Sequence, residues 1–307
     1  MKRLSAILLI LLLLCGCAAP AAAPEGGITF TDDLGRTVTV SNPQRVAALL
    51  GSFADVWVLS GGTLCAAPED AWEDFGLDDD RAVNLGGAHS PSLELLLSAD
   101  PDLVIASSST ASNLAMKETL EAAGIAVAYF DVDNFDDYLR MLKVCTEITG
   151  RQDLYEQNGL KLQQEIEKIK ADAAKIPESK RTVLLIRAAA SVIKAKGSQG
   201  TILGEMLSDL GCVNIADSDT ALLENLSVEA VIRNQPHHIF VVTMGSDTEG
   251  AKAALEALFR ENPAWNTLDA METGRIHFME KQLFNLKPNA KWAKAYEKLY
   301  ETLTANQ

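Results

Sequence analysis

The sequence is poor in the residue types that carry most enzyme and metal chemistry. Its 307 residues include 5 cysteines and 4 histidines. Cys65, Cys145 and Cys212 are widely spaced, unlike the cysteines of a disulfide framework or a zinc site, and we expect them to be small buried hydrophobic residues. Four catalytic signatures are also missing: Gly-x-Ser-x-Gly, Gly-x-x-x-x-Gly-Lys, Gly-x-Gly-x-x-Gly and His-Glu-x-x-His. These absences argue against the hydrolases, nucleotide-dependent enzymes and zinc proteases that use them.

Positive charge is scarce as well. Lysine and arginine total 27 against 42 aspartates and glutamates, which gives a formal net charge of −15. Nucleic acids and anionic membrane surfaces both bind clustered Lys and Arg. We therefore expect no nucleic-acid partner, and we expect membrane attachment through something other than charge.

The N-terminal apolar run, residues 4–14, is too short to cross a bilayer, which takes ~20 residues of helix. A run of this length after two basic residues is typical of a secretory signal. Cys17 directly follows Gly16 and resembles the cysteine of a bacterial lipobox, where a small residue precedes a cysteine that is cleaved and acylated. We predict a signal peptide over 1–16, a lipid on Cys17 and a flexible Ala- and Pro-rich tether over 17–27.

Short apolar runs alternate with helical patterns along the rest of the chain, after a hairpin pattern at residues 28–40. This alternation predicts an α/β fold with mostly parallel sheets covered by helices on both faces. The series occurs twice, which predicts an N-terminal lobe over 28–150 and a C-terminal lobe over 178–307. The predicted strands are 46–50, 82–85, 103–106 and 125–130 in the first lobe, and 183–186, 192–195, 239–243 and 276–279 in the second.

A long polar segment separates the two series. Apolar residues recur in it at spacings of three, four and seven from Tyr155 to Ile176, which predicts one apolar stripe on a helix of ~24 residues. Pro177 ends the pattern. We predict a connecting helix over 151–177 that joins the lobes as a rigid rod.

One stretch of sequence appears in both lobes. Residues 90–106 match residues 225–241 at an offset of 135, and the matched pairs include Ser92 with Ser227, Glu94 with Glu229 and Pro101 with Pro236. The repeat indicates two related lobes. With Ser90 and Asn225 as N-caps, both glutamates lie in a first helical turn, where the helix dipole favours an acid.

Ligands of open parallel sheets bind beyond the carboxyl ends of the strands. In two facing lobes, these ends line a shared cleft. The candidate residues there are Ser52, Phe53, Trp72, His89, Ser107 and Ser108 in the first lobe, and Arg187, Lys196, Met244 and Lys281 in the second. An aromatic and hydroxyl wall thus faces a basic wall, which favours an anionic or carboxylate-bearing ligand.

Only one histidine, His89, is expected in the cleft, so we predict no dedicated metal site and no resident cofactor. Two interpretations of His89 stay open. It is an axial ligand of a haem, with Met244 or Tyr129 opposite, or it makes an ordinary polar contact.

Three segments resemble a known family. They are Asp33-Leu-Gly-Arg-Thr-Val-Thr-Val with the Ser-Asn-Pro-Gln-Arg-Val that follows, the Ser-Leu-Glu and Pro-Asp-Leu-Val-Ile run of the repeat, and Leu210-Gly-Cys-Val-Asn214. They are similar to the substrate-binding proteins of ABC importers for ferric siderophores, haem and cobalamin. The resemblance implies the class III periplasmic-binding-protein fold: two Rossmann-like lobes with parallel sheets, joined by one long rigid α-helix.

The resemblance also implies roles for three residues. A glutamate on each lobe of these proteins docks with arginines of the permease dimer, and Glu94 and Glu229 match those positions; the alternative is that both only stabilise their helices. Phe284 lies in a loop where relatives place an aromatic side chain against the ligand.

We therefore expect an extracytoplasmic, lipid-anchored receptor, not an enzyme, that acts as a monomer. Its partners would be a siderophore, haem or corrinoid in the interlobe cleft and an ABC permease dimer with its ATPase. The alternative is an extracytoplasmic chelatase that acts on a tetrapyrrole with His89 or Glu69 as its base.

Overall fold

The computed structural model describes residues 27–245 and 247–305. The predicted signal peptide, Cys17 and all of the tether except Gly27 lie outside the described residues. Within the described ranges, no helix has the length and hydrophobicity needed to cross a membrane.

A hairpin opens the described chain. Strands β1 (Ile28–Thr31) and β2 (Thr37–Val40) pair antiparallel around a turn in which Gly35 has a φ of +74°. Asp32 is buried and accepts hydrogen bonds from the backbone N–H of Arg36 at 3.0 Å and from Tyr129 at 3.3 Å. The Asp-Leu-Gly-Arg segment therefore fixes the hairpin to the strand that contains Tyr129.

The first lobe contains a parallel sheet of five strands in the described residues. In spatial order these are β5 (Val83–Asn84), β4 (Leu64–Ala67), β3 (Val46–Ala48), β6 (Leu103–Ser107) and β7 (Ala126–Phe130). The predicted parallel sheet is confirmed, and β4 is an addition to it. The helices are α1 (Gly51–Leu59), α2 (Asp70–Glu73), α3 (Leu93–Ser98), α4 (Ala111–Ala115), α5 (Lys117–Ala122) and α6 (Phe135–Thr149).

The second lobe contains a mixed sheet. Strands β8 (Thr182–Ala189), β10 (Val213–Asn214), β11 (His238–Thr243) and β12 (Ile276–Met279) are parallel in the order β10-β8-β11-β12, and β9 (Val192–Lys196) pairs antiparallel with the end of β8. Its helices are α9 (Ile202–Asp209), α10 (Ile215–Ser218), α11 (Ala221–Glu224), α12 (Val228–Asn234), α13 (Thr248–Glu261), α14 (Asp269–Glu272), α15 (Lys281–Phe284) and α16 (Trp292–Thr304).

The predicted connecting helix contains an irregular turn. Its α-helical parts, α7 (Gln152–Tyr155) and α8 (Lys161–Ala173), flank a π-helical turn over Glu156–Leu160. In that turn the Asn158 side chain donates to the Leu59 carbonyl at 2.9 Å, and the Asn158 backbone carbonyl accepts from the Tyr138 hydroxyl at 2.8 Å. The turn thus attaches the connecting helix to α1 and α6. The lobe boundaries at 150 and 178 stay predictions.

One apolar cluster is shared by both lobes. It takes one face of each sheet, with Val46 and Ile105 from the first and Leu185 and Phe240 from the second. The other faces are covered separately. Trp292 of α16 is fully buried in the shared cluster, with its ring 6.0 Å from Phe135. Helix α16 therefore packs the end of the chain against the first lobe.

The repeated stretch forms the same local structure in both lobes. Ser92 and Ser227 are the N-caps, and each side chain accepts a backbone N–H three residues later. The expectation that Ser90 and Asn225 cap these helices is wrong, since the chain becomes helical only after Ser92 in one copy and after Ser227 in the other. Both copies end on a left-handed residue before a buried proline, Asp100 (φ +49°) in one and Gln235 (φ +42°) in the other.

Two histidines meet at the amino ends of β11 and β12, away from the carboxyl ends of the strands. Nδ1 of His238 lies 3.0 Å from Nε2 of His277, and His238 as a residue is 1% exposed. Burial, with His277, His237 and Arg275 nearby, lowers the pKa of His238 to about 3. Burial and Arg275 also lower the pKa of His277.

We predict that acid destabilises the fold through His238. The folded-state pKa of His238 is below the ordinary value of 6.5, so below pH 6.5 the unfolded chain takes up a proton that the folded protein does not. The contribution of neutral His238 to stability is therefore complete above pH 6.5 and is lost as the pH falls from 6.5 towards 3. At pH 5 the loss is ~2 kcal/mol for a ring that stays neutral when folded. Chemical unfolding at pH 7 and pH 5 measures it.

The variant His238→Asn keeps a hydrogen-bonding group at the Nδ1 position and removes the titration, so its unfolding free energy should fall less between the two pH values. Burial raises the pKa of Asp55 and of Asp70, which acts in the opposite direction in both proteins and cancels in the comparison. Equal slopes for parent and variant would contradict the prediction.

Candidate ligand-binding cleft

The carboxyl ends of the two sheets face each other. The Asn289 side chain, which follows β12 and α15, donates to the Ser52 carbonyl at 2.9 Å and to the Asp55 carboxylate at 2.7 Å. Burial raises the pKa of Asp55, although the Asn289 hydrogen bond opposes the rise. Asn289 adopts a left-handed φ of +51°, which Asn tolerates better than most residues. This contact joins the start of α1 to the second lobe.

A second contact between the lobes is ionic. Lys281 Nζ lies 3.2 Å from Asp74 Oδ1, and Gln282 donates to the same oxygen at 3.3 Å. Lys281, a predicted ligand residue, therefore already has an anionic partner within the protein.

Lys287 lies between the lobes and was not among the predicted site residues. Its Nζ is 5.9 Å from the centre of the Phe53 ring, within the range of a cation–π contact. Burial lowers the pKa of Lys287, and the carboxylates of Asp133 and Asp131 oppose this. In the described part of the chain, Lys287 forms no salt bridge within 4.0 Å. It is a largely buried cation over an aromatic ring.

Arg187 and Lys196 share a small cavity of about 20 Å³ with Thr201, Phe284 and Asn285. The Arg187 guanidinium donates to Asn285 Oδ1 at 2.8 Å, and burial lowers its pKa. Among the described residues, neither Arg187 nor Lys196 has a carboxylate partner. Phe284 is 2% exposed, so its ring packs in the shared apolar cluster and reaches the cavity only as lining.

Ser52 and Phe53 at the start of α1 are both buried. Phe53 makes an edge contact with Phe130, with ring centres 6.5 Å apart. Trp72 is half-buried and packs against the shared cluster. These three predicted residues thus belong to the first-lobe side of the cleft, where they are buried or half-buried.

The other four predicted cleft residues make no contact described above between the lobes. Ser107 is buried and bonds to Ser109 within its own turn, while Ser108 is half-buried and donates its N–H to the Phe130 carbonyl. Met244 is half-buried after β11, and His89 is exposed after β5.

Tyr129 does not suit the role of a haem ligand. It is fully buried, and its hydroxyl donates to the Asn113 carbonyl at 3.2 Å. Within residues 27–245 and 247–305, no group of three or more His, Cys, Asp or Glu side chains is arranged to hold a metal ion.

A larger cavity, of about 360 Å³, lies beside α1 and is lined by Asp55, Phe75, Leu77, Asp79 and Arg81 among others. All of its lining comes from the first lobe. It is therefore separate from the basic wall of the cleft.

The family is decided by comparison with known proteins. A family model described as periplasmic binding protein matches residues 46–283. The chain belongs to the periplasmic binding protein family. The predicted class III fold is confirmed, and the family and its relatives are substrate-binding proteins and not enzymes. The chelatase alternative is therefore set aside.

Relatives of this periplasmic binding protein span nearly its whole length. The Fe(3+)-citrate-binding protein YfmC of Bacillus subtilis is 26% identical over 90% of this chain and 89% of its own. SirA of Staphylococcus aureus, solved with staphyloferrin B, superposes with a TM-score of 0.70 at 22% identity, covering 90% of this chain and 98% of SirA. The siderophore-binding protein BauB gives a TM-score of 0.72 at 18% identity, covering 92% and 100%.

We predict that Asn289→Ala destabilises this periplasmic binding protein by ~1–3 kcal/mol, because Asp55 loses its buried donor. Alanine also tolerates a left-handed φ poorly. The control Asn42→Ala carries the same backbone cost at an exposed site, since Asn42 has a φ of +44°. Urea unfolding measures both, and equal losses would show that the Asp55 contact contributes nothing.

Proposed function

We propose that the protein is the extracytoplasmic receptor of an ABC importer and binds an anionic ferric chelate between its lobes. One observation carries the proposal: Arg187, Lys196 and Lys287 approach the cleft and form no salt bridge within 4.0 Å among the described residues, in a chain of net charge −15. Buried and half-buried charges are normally paired. The missing partner is then the ligand, whose negative charge completes the pairing.

The charge argument ranks the ligands that the sequence left open. Ferric complexes of citrate and of carboxylate or catecholate siderophores are anionic, and haem carries two propionates. A corrinoid without free carboxylates gains little from three cations. The relative named for ferric citrate supports the first class. We therefore place a ferric siderophore or ferric carboxylate complex first and haem second.

We predict that purified protein binds ferric citrate or a ferric siderophore with one-to-one stoichiometry and without turnover. Arg187→Gln and Lys287→Gln should each weaken binding at least ~10-fold, because each removes a charge-assisted contact, and added salt should weaken it further. Lys252→Gln is the control, since Lys252 pairs with Glu249 on the distant helix α13. Absorbance and tryptophan-fluorescence titrations measure binding, with haem and cobalamin in the same panel. Preferential binding of cobalamin, unaffected by either variant, would refute the proposed ligand class.

We further propose that Glu94 and Glu229 dock the loaded receptor on its permease. Both are exposed at the second position of helices capped by Ser92 and Ser227. Glu229 accepts a hydrogen bond from the Ser227 hydroxyl at 2.7 Å, which lowers its pKa. In the described residues, Glu94 makes no hydrogen bond or ion pair. Both carboxylates are thus exposed on their helices and accessible to a cationic partner.

The double variant Glu94→Lys with Glu229→Lys should abolish uptake of iron by cells and leave ligand affinity unchanged. A helix-stabilising role alone would cost little stability at each site and would spare uptake. Glu256→Lys reverses an exposed charge on α13 and is the control. Uptake of radioactive iron is measured in cells of the source organism that lack their own copy of the gene. Normal uptake by the double variant would rule out docking through these residues.

We propose that Cys17 carries a lipid that holds the receptor, as a monomer, at the outer face of the membrane. A relative named as a substrate-binding lipoprotein supports this. Mass spectrometry of the processed N-terminus should find diacylglycerol on Cys17, and a free, secreted chain would disprove the anchor.

A further inference from the structure

The first lobe contains a cavity that is separate from the ligand cleft. Its volume is about 360 Å³, and its apolar lining includes Val58, Leu64, Phe75 and Leu77. Small-molecule sites in proteins are typically cavities of ~300–1,000 Å³ with mostly apolar walls and a few polar groups. The cavity therefore has the size and the lining of a site for a small organic molecule.

One wall of the cavity comes from the loop over residues 74–81, which follows α2. Gly76 in this loop has a φ of +68°, a conformation that glycine adopts without strain. The turn lets the N–H of Leu77 donate back to the Ala71 carbonyl at 2.9 Å. Phe75 and Leu77, on either side of Gly76, thus line the cavity together with Val58 of α1.

Acidic side chains outnumber basic ones around this cavity. Asp55, Asp78 and Asp79 line it, and Arg81 is the one basic side chain among its described lining residues. Arg81 donates to both oxygens of Asp79, at 3.1 Å and 3.2 Å. Asp55 and Asp78 form no salt bridge within 4.0 Å in the described part of the chain. The cavity therefore retains two negative charges that no cation of the protein pairs with directly.

Asp55 carries one carboxylate oxygen that is free to accept a hydrogen bond. Its Oδ2 accepts from the Asn289 side chain at 2.7 Å, whereas its Oδ1 accepts no hydrogen bond from any described residue. The exposed Lys291 attracts the carboxylate only from beyond salt-bridge distance. Because a donated hydrogen bond favours the ionised form of a carboxyl group, Asp55 presents a carboxylate beside apolar walls.

We propose that this cavity is a second binding site, which takes a small primary or secondary ammonium ion with an apolar body. The apolar body lies against Val58 and Leu77, and an N–H of the ammonium group donates to Asp55 Oδ1. A neutral apolar molecule would cover the carboxylate without pairing it, and an anion would be repelled by Asp55 and Asp78. The site does not depend on which ligand the cleft binds.

Matched pairs of small molecules test the class of ligand. Benzylammonium, cyclohexylammonium and hexylammonium are compared with benzyl alcohol, cyclohexanol and hexanol, which have similar shapes and no charge. In calorimetric titrations of the purified protein at neutral pH, we expect at least one ammonium ion to bind saturably with one-to-one stoichiometry. Its alcohol should bind at least ~10-fold more weakly, because it makes no charge-assisted hydrogen bond.

Two results of these titrations would overturn the inference. One is the absence of saturable binding by all three ammonium ions. The other is an alcohol that binds as tightly as the matching ammonium ion, since the carboxylates would then contribute nothing to the choice of ligand.

The variant Asp55→Asn tests the role of the carboxylate. It keeps an oxygen that accepts from Asn289 and removes the charge, so the ammonium ion should bind at least ~10-fold more weakly while the alcohol binds as before. The matched control is Asp80→Asn, because Asp80 is an exposed acid of the same loop that does not line the cavity. Equal weakening by the two variants would show that only the net charge of the lobe matters.

The variant Val58→Phe tests the location and does not alter the Asp55 contact with Asn289. Val58 is 42% exposed, so the fold tolerates a larger side chain there, and the added ring fills part of the cavity. Binding of the ammonium ion and of its alcohol should both be lost. The control is Val192→Phe, at a residue that is 41% exposed on β9 of the second lobe. Unchanged ammonium binding by Val58→Phe would place the ion elsewhere and overturn the site.

Discussion

Both sheets bury one face in the same apolar cluster, and the rest of the molecule depends on that arrangement. Val46 and Leu185 belong to different sheets but to one core, and Trp292 closes it from the last helix. Because interiors are close-packed, the cluster fixes the carboxyl ends of the two sheets relative to each other. The loops that carry the cleft residues are thus positioned by the strands that they follow. Such a core, together with a continuous connecting helix, favours small movements of the lobes over wide hinge opening.

The net charge of the whole chain and the charge of the basic side of the cleft have opposite signs. Over the whole chain acids exceed bases, and the formal net charge is −15. Near the cleft the second lobe supplies Arg187, Lys196 and Lys287, while Lys281 is taken up by Asp74. Burial of Lys287 disfavours its charged form, and the carboxylates of Asp131 and Asp133 reduce that cost. The acids of the first lobe therefore help to keep Lys287 charged beside the Phe53 ring.

Sequence patterns predicted the elements whose periodicity is strong. The strands around Leu103 and Ile239 and the long connecting helix are of this kind. Strand β4 was missed because Leu-Cys-Ala-Ala has no alternation and weak β-propensity. The site was predicted less well, since Lys287 and Asn289 act through contacts some 230 residues away along the chain, which no local pattern encodes. Two signals were present: an acid, Asp55, within an otherwise apolar helical run, and Asn289 just after a proline.

The π-helical turn at Glu156–Leu160 has a consequence for how the two lobes are oriented. A π turn accommodates one residue more than an α-helical turn, and one residue corresponds to ~100° of rotation about the helix axis. A single extra residue thus sets the rotation of α8 about its axis. The direction of the Ile166 side chain and the orientation of the second lobe follow from that rotation. A relative with one residue fewer here would have to rotate α8 or lose the alignment of its apolar stripe. Chain length in this turn therefore acts as a geometric parameter of the cleft.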